Sequence, residues 1–387
     1  MNLKTLNRVK LISSNTIRQI LTSVFAVAIP FMVIKFFSKE IWGEFVSILL
    51  YTLFVTQIIN WGNKEYLLRI FSETPSKIKS NFSTNFFTRL PLFFIFSIVG
   101  FFLFKIEYGI FIFLWLLGRF LIHSYEVLVI YEKKFSSSVF IEIICFLLFT
   151  GCIYLYTNSI TIKTLVFFYS IYQLIKGFGL VMLFRNILSF KKSTINLSYY
   201  KQSIWFFLLS ILGFLASKID VYIINSFGKK TITSDYQIIN SMLVFVMSIS
   251  TFIYTPFTKN LYRNNENIIT KTKILFTIVG LIIIPISLFI ISFILDYFLN
   301  ITFSVYFYII AFFYIIPSYI YGTEIVNLFK QHKEKKVVLV LFIGVLLNFI
   351  LSYLLLKNSF EIVESLLGAT IAQIIVLFLF NIKTNAN

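Results

Sequence analysis

The chain has 387 residues, 58% of them hydrophobic, 19% aromatic and only 13% charged, with a mean hydropathy of +0.88. Soluble domains hold roughly 45–50% apolar residues, so this composition excludes an ordinary soluble protein and describes a polytopic membrane protein. The formal net charge of +18 would suggest nucleic acid in a soluble domain, but in a membrane protein basic residues are first read as topology.

The N-terminus carries Lys4, Arg8, Lys10 and Arg18, then an apolar stretch containing Ala26-Val27-Ala28. That order resembles a secretory signal, but the apolar run continues through Pro30 to Phe37, which reads as an uncleaved first span. Hydropathy then divides the chain into twelve spans, near 17–37, 41–61, 88–104, 108–130, 138–157, 161–184, 203–227, 235–258, 273–295, 299–321, 337–357 and 361–382. The connections are short, and none approaches the roughly 50 residues of a separate soluble domain. Alternating the loops between two sides gathers most basic residues on one, Lys64, Arg69, Arg89, Lys133, Arg185, Lys191, Lys259, Arg263, Lys273, Lys336 and Lys383 among them. The other side has only Lys35, Lys39, Lys105, Lys163, Lys229, Lys230 and Lys357. By the positive-inside rule both termini are expected in the cytoplasm. The charge then reflects topology and attraction to anionic membrane lipids, with no call on nucleic acid.

The connection between spans six and seven divides the twelve into halves, giving two six-helix lobes over 1–195 and 196–387. A faint echo supports the repeat: Phe37-Ser38-Lys39 before Trp42-Gly43-Glu44, and Phe227-Gly228-Lys229 before Ser234-Asp235-Tyr236. Both are exits from the first span of a half. Pro30, Pro285 and Pro317 are placed to kink their spans.

Charges inside spans are the candidate functional residues, because each is expensive in hydrocarbon. Lys218 and Asp220 sit inside the run from Ser203 to Phe227. At about 1.5 Å rise per residue, Lys218 is about 22 Å from one end and about 13 Å from the other. Residues two apart point in separated directions on a helix, so the two cannot simply neutralise each other. Arg119, His123 and Glu126 follow an i, i+4, i+7 spacing that shares one face. Lys176, Glu142 and Glu324 complete the set. Two readings stand for each: structural pairing or snorkelling to the rim, or a water-filled path, positive where Arg119, Lys176 and Lys218 converge. Cys145 and Cys152 are two turns apart on one helix, about 10 Å, too far for a disulfide. Neither they nor His123 and His332 have metal-ligand spacing. No nucleophile elbow, phosphate loop or acidic metal motif is present, so no catalytic residue is expected, and the chain reads as a non-enzyme.

Twelve short-looped spans, the connection WGNKEYLLRIFSETPSKI (Trp61 to Ile78), SKIDVYIIN (Ser217 to Asn225), the span from Tyr236 that ends TPFTK at Lys259, and NFILSYLLL…LLGATIAQ (Asn348 to Gln373) together resemble the Wzx-type polysaccharide flippases. These belong to the multidrug/oligosaccharidyl-lipid/polysaccharide exporter superfamily. The resemblance implies an all-α, MATE-like fold of two six-helix lobes in the bacterial inner membrane. It implies transport of an undecaprenyl-diphosphate-linked oligosaccharide, for O-antigen, capsule or a related glycan, by alternating access, and contact with other glycan-assembly membrane proteins. Arg119, Lys218 and Lys176 would contact the diphosphate or acidic sugars. No cofactor is implied. Proton or sodium coupling would fall to Asp220, Glu126 or His123. The alternatives are a drug antiporter of the same superfamily, whose cationic substrates would favour carboxylates, and a membrane enzyme acting on a lipid-linked glycan.

Overall fold

A computed structural model describes residues 3–156, 160–188, 194–254, 266–331, 333–359 and 361–382. His332, Lys191, Lys192, Lys259, Arg263, Lys383 and the TPFTK motif lie outside the described residues. The helices are α1 (Leu3–Phe36), α2 (Lys39–Asn60), α3 (Asn63–Glu73), α4 (Ile78–Leu103), α5 (Ile106–Tyr131), α6 (Phe135–Leu155), α7 (Ile162–Leu183) and the short α8 (Ser198–Gln202). They continue as α9 (Ile204–Ser226), α10 (Lys230–Tyr254), α11 (Glu266–Leu299), α12 (Val305–Lys330), α13 (Glu334–Ser359) and α14 (Ile362–Asn381). Among the described residues no strand is present, and twelve segments are long and apolar enough to cross a membrane. A multi-pass, all-α membrane protein follows, because only internally satisfied backbone survives in hydrocarbon.

The structure corrects several boundaries. Span three was expected from about 88, but α4 begins at Ile78 and a single 3₁₀ turn at Pro75–Lys77 leads into it. Arg89, expected in a loop, therefore lies inside a span. Arg18 and Lys273, expected in the first turn of their spans, lie within the membrane-length segments Ser13–Phe36 and Thr270–Leu299. The connection from Trp61 holds a helix of its own, α3, which buries Asn63, Leu67 and Phe71 along one face. Pro30, Pro91, Pro285 and Pro317 all lie inside helices.

The chain forms two compact units, one of Met1–Phe25 with Glu44–Ile211, the other of Ala26–Gly43 with Leu212–Asn387. These bounds differ from 1–195 and 196–387: the end of α1 and start of α2 belong to the second unit, and the segment leading into α9, with the start of that helix up to Ile211, belongs to the first.

In the first unit α5 and α7 pack at backbone contact. A Cβ on Gly118 would come within 2.5 Å of the Gln173 carbonyl, so only glycine allows this approach. Phe45, Trp115 and Tyr169 fill the neighbouring core, with ring centroids 4.5–5.5 Å apart. The chain leaves α2 through a left-handed turn at Trp61 and Gly62 (φ 44° and 64°). Trp61 stacks on Phe207 at 3.9 Å and donates to the Tyr200 carbonyl at 3.2 Å, while Tyr199 donates back to the Trp61 carbonyl at 2.9 Å. This buckle holds the start of α9 on the first unit.

In the second unit the two echoed turns meet. Lys39 pairs with Asp235 at 3.0 Å, and the Trp42 indole donates to Gln237 at 2.9 Å. Elsewhere in this unit Tyr319 donates to the Val246 carbonyl at 2.9 Å, and Ser352 donates to Asn348 at 2.8 Å and to the Ser365 carbonyl at 3.2 Å. Such polar contacts between membrane helices contribute about 0.6–2 kcal/mol each.

Candidate functional site

The i, i+4, i+7 face of α5 is real, and His123 sits between its other two members, against Glu126 on one side and in a shared cleft with Arg119 on the other. Glu126 meets Arg18 of α1 at 3.3 Å and the His123 Nδ1 at 3.7 Å. His123 also presents its backbone carbonyl to Asn63 at 3.1 Å, which ties α3 to this end of α5. Arg119, one turn away, has no carboxylate partner among the described residues. Its Nε is buried without a hydrogen-bond partner, and its guanidinium interacts with the Tyr169 side chain.

Lys176 does not join Arg119 as a free cation. Its ammonium forms an ion pair with Glu142 of α6, and Glu142 also accepts a hydrogen bond from Tyr172 at 3.0 Å. Glu142 is 5% exposed, so the pair is sealed. Snorkelling was the simpler expectation for Lys176; burial against α6 prevents it, because the carboxylate lies on the neighbouring helix at the same depth.

Arg89 is the residue that sequence reasoning missed. It is 1% exposed. Its Nε donates to Asn85 Oδ1 at 3.0 Å, one terminal nitrogen to Ser124 Oγ at 2.8 Å and the other to the Ile59 carbonyl at 3.4 Å. The guanidinium stands 5.2 Å from the Phe120 ring centroid. Every one of these partners is neutral. A guanidinium offers five donors in a planar fork, which explains how α2, α4 and α5 satisfy a charge without a counter-ion. The available sequence signal was Asn85 four residues before Arg89, inside a run that continues as helix.

Arg89, Arg119 and His123 gather around one tight cleft with no room for a water molecule, together with Thr56, Ile59, Asn60, Leu116 and Phe120. No carboxylate lines it. The Asn60 Oδ1 is buried without a partner. The Thr56 hydroxyl already donates to the Thr52 carbonyl and Arg89 to its three neutral partners, so the group best suited to an oxyanion here is the Arg119 guanidinium, whose bonds to phosphate or carboxylate would be charge-assisted.

Lys218 and Asp220 lie in the second unit. They do not bond to each other, as the two-residue spacing requires, but both engage α10. Lys218 Nζ donates to Asn240 Oδ1 at 2.5 Å, and Asn240 Nδ2 reaches Asp220 Oδ2 at 3.4 Å. Asp220 also accepts from the Tyr236 hydroxyl and from the Val221 amide at 3.0 Å. Glu324, expected near a span end, lies within α12 and pairs with Lys273 at 2.8 Å; Lys273 also donates to Asn381 at 2.6 Å. Among the described residues no group of His, Cys, Asp and Glu could hold a metal ion, and Cys145 and Cys152 are both free thiols.

No family model matches this chain, and no curated protein sequence does. Solved structures do. A MATE in complex with MaL6 is similar at a TM-score of 0.61 and 9% identity, over 96% of this chain and 93% of that one. An outward-facing multidrug resistance MATE family transporter of the MOP superfamily is similar at 0.54 and 12%, over 96% and 93%. The lipid II flippase MurJ, in an inward closed conformation, is similar at 0.51 and 16%, over 97% and 86%. At these identities the likeness is one of fold, and it defines the class: a multi-pass membrane protein of MATE-like architecture.

Proposed function

We propose that the protein is a transporter that moves an amphiphile with an anionic head across the bacterial inner membrane and makes or breaks no covalent bond. The substrate in this reading is an undecaprenyl-diphosphate-linked oligosaccharide, a unit of O-antigen, capsule or a related glycan. The observation that carries it is the pair of guanidiniums of Arg89 and Arg119 in the first unit, which line one tight cleft with no carboxylate among its lining residues; this cleft has to open to admit a head group. A diphosphate cannot cross hydrocarbon unaided, because burying its charge costs far more than any single contact returns. Guanidiniums inside the protein replace its hydration while the prenyl tail stays in lipid. The shared fold with a lipid II flippase supports a lipid-linked cargo. The crevice speaks against the drug-antiporter reading, since organic cations call for carboxylates.

Coupling to a proton or sodium gradient belongs to the same proposal, with Glu126, His123 and Asp220 as the groups able to take part. So does contact with other glycan-assembly membrane proteins. The termini are proposed to be cytoplasmic, with Lys229 and Lys230 outside. In a background lacking Cys145 and Cys152, Gly228→Cys is expected to label from outside intact cells and Ser76→Cys only after permeabilisation. Labelling of both from outside would overturn that orientation.

The transport reading is tested in vesicles holding purified protein and a lipid-linked oligosaccharide. The glycan is expected to become accessible to an outside probe with its structure unchanged. A trimmed, extended or acylated glycan that stays in its leaflet would show an enzyme instead.

A further inference from the structure

The chain from Lys218 through Asn240 to Asp220 is an unusual way to neutralise a buried carboxylate. Asp220 is 0% exposed and Asn240 1%. The carboxylate oxygens are taken by the Tyr236 hydroxyl, the Val221 amide and the Asn240 amide nitrogen. None of these carries a net charge, so Asp220 would be an isolated anion in a span but for the ammonium of Lys218, which donates to the other end of the same Asn240 amide. Asn240 is held in that orientation by a second bond, from its Nδ2 to the Ser217 carbonyl at 3.2 Å. An amide polarised by a cation at its oxygen is a better donor at its nitrogen, so positive charge is passed to the carboxylate without direct contact. Tyr236 and Asn240 are four residues apart and present one face of α10 to α9.

We propose that Lys218 is the protein's own tethered cation at Asp220, which supplies through Asn240 the monovalent positive charge that a diffusible sodium ion would otherwise bring, and closes this place to such an ion. A sodium ion needs several oxygen ligands. The one oxygen of Asn240 that could join Asp220 in binding it is already held by the ammonium at 2.5 Å. Two consequences follow. The Asp220 network stays neutral whatever the external sodium, and of the three groups proposed for coupling only Glu126 with His123 is left to a sodium ion. The inference does not rest on the transport reading, because its test reads stability.

The experiment is thermal unfolding of the purified, detergent-solubilised full chain in sodium chloride and in choline chloride at one ionic strength. Any difference in melting temperature between the two salts is expected to persist in Asp220→Asn. Lys218→Met, which keeps volume and removes the charge, is expected to melt about 5–10 °C lower, since removing one partner of a buried charge pair is costly. Lys218→Ala leaves a gap the size of propylammonium; that ion is expected to restore at least half of the lost temperature, and neutral 1-propanol none. The Lys218→Met, Asp220→Asn double variant is expected to melt above Lys218→Met alone. A sodium-specific stabilisation of the native protein that Asp220→Asn abolishes would overturn the proposal, and so would a Lys218→Met variant as stable as the native chain. Should both Lys218 single variants fail to insert, insertion of the double variant supports the tether, and failure of the double variant as well rejects it.

Discussion

The two units share a construction from membrane-length helices, yet they treat partly or fully buried cations differently. In the second, Lys39, Lys218 and Lys273 each meet a carboxylate, directly at Asp235 and Glu324 and through Asn240 at Asp220. In the first, Arg18 and Lys176 meet Glu126 and Glu142, whereas Arg89 and Arg119 meet none among the described residues. Burying a charge without a partner is among the most expensive things a chain can do. At those three sites the second unit cancels its positive charge, and at Arg89 and Arg119 the first retains it, Arg89 on neutral hydrogen bonds alone. The transport reading proposed above accounts for the difference, since a stable helix bundle could carry apolar residues at 89 and 119.

The comparison is tested most severely at a sealed pair. Lys176→Met leaves Glu142 as an unpaired anion at 5% exposure, which costs about 3–5 kcal/mol. The Lys176→Met, Glu142→Leu double variant removes both charges and is expected to recover most of that loss. If unfolding shows Lys176→Met as stable as the native protein, the pair is not a structural lock, and Lys176 returns to the list of cations available to substrate.

Arg119 is expected to behave in the opposite way. Arg119→Gln removes a charge that no described carboxylate balances, so the melting temperature should hold or rise. Transport should fall about 10–100-fold, the equivalent of the roughly 1.5–3 kcal/mol of one charge-assisted hydrogen bond. A variant that transports normally but melts early would place Arg119 among the structural residues and erase the contrast between the units.

How much of this was legible beforehand depends on whether the signal was local. The twelve spans follow from runs of apolar residues, and all twelve appear. The separation of Lys218 from Asp220 followed from helix geometry, and their shared use of α10 could have been counted: Asp220 lies six residues before the end of α9 and Tyr236 six after the start of α10. The same count finds Glu142 thirteen residues before the end of α6 and Lys176 fourteen after the start of α7, which puts them level across an antiparallel turn. Arg89 was out of reach of such counting. Its partners Ile59 and Ser124 lie 30 and 35 residues away on two other helices, and hydropathy cannot see that the polar turns before it, with Asn81 and Asn85, continue the helix. The crevice was illegible for the same reason, since it needs α2, α4 and α5 together.

The smallest effect is expected where α1 joins this network. Arg18 is 13% and Glu126 21% exposed in their side chains, and they meet at 3.3 Å. Partial hydration screens such a pair, so Arg18→Gln should cost about 1 kcal/mol or less. Glu126 keeps His123 beside it at 3.7 Å and the charge of Lys64 nearby, so loss of Arg18 does not leave the carboxylate alone. The informative measurement is consequently the interaction term and not the single variant. In a double-mutant cycle of Arg18→Gln with Glu126→Gln, a coupling of about 0.5–1 kcal/mol in unfolding free energy is expected if the two act as a pair. A coupling near zero would mean that His123 and Asn63 hold this end of α5 unaided, and that the first unit has a third cation, Arg18, without a working counter-ion.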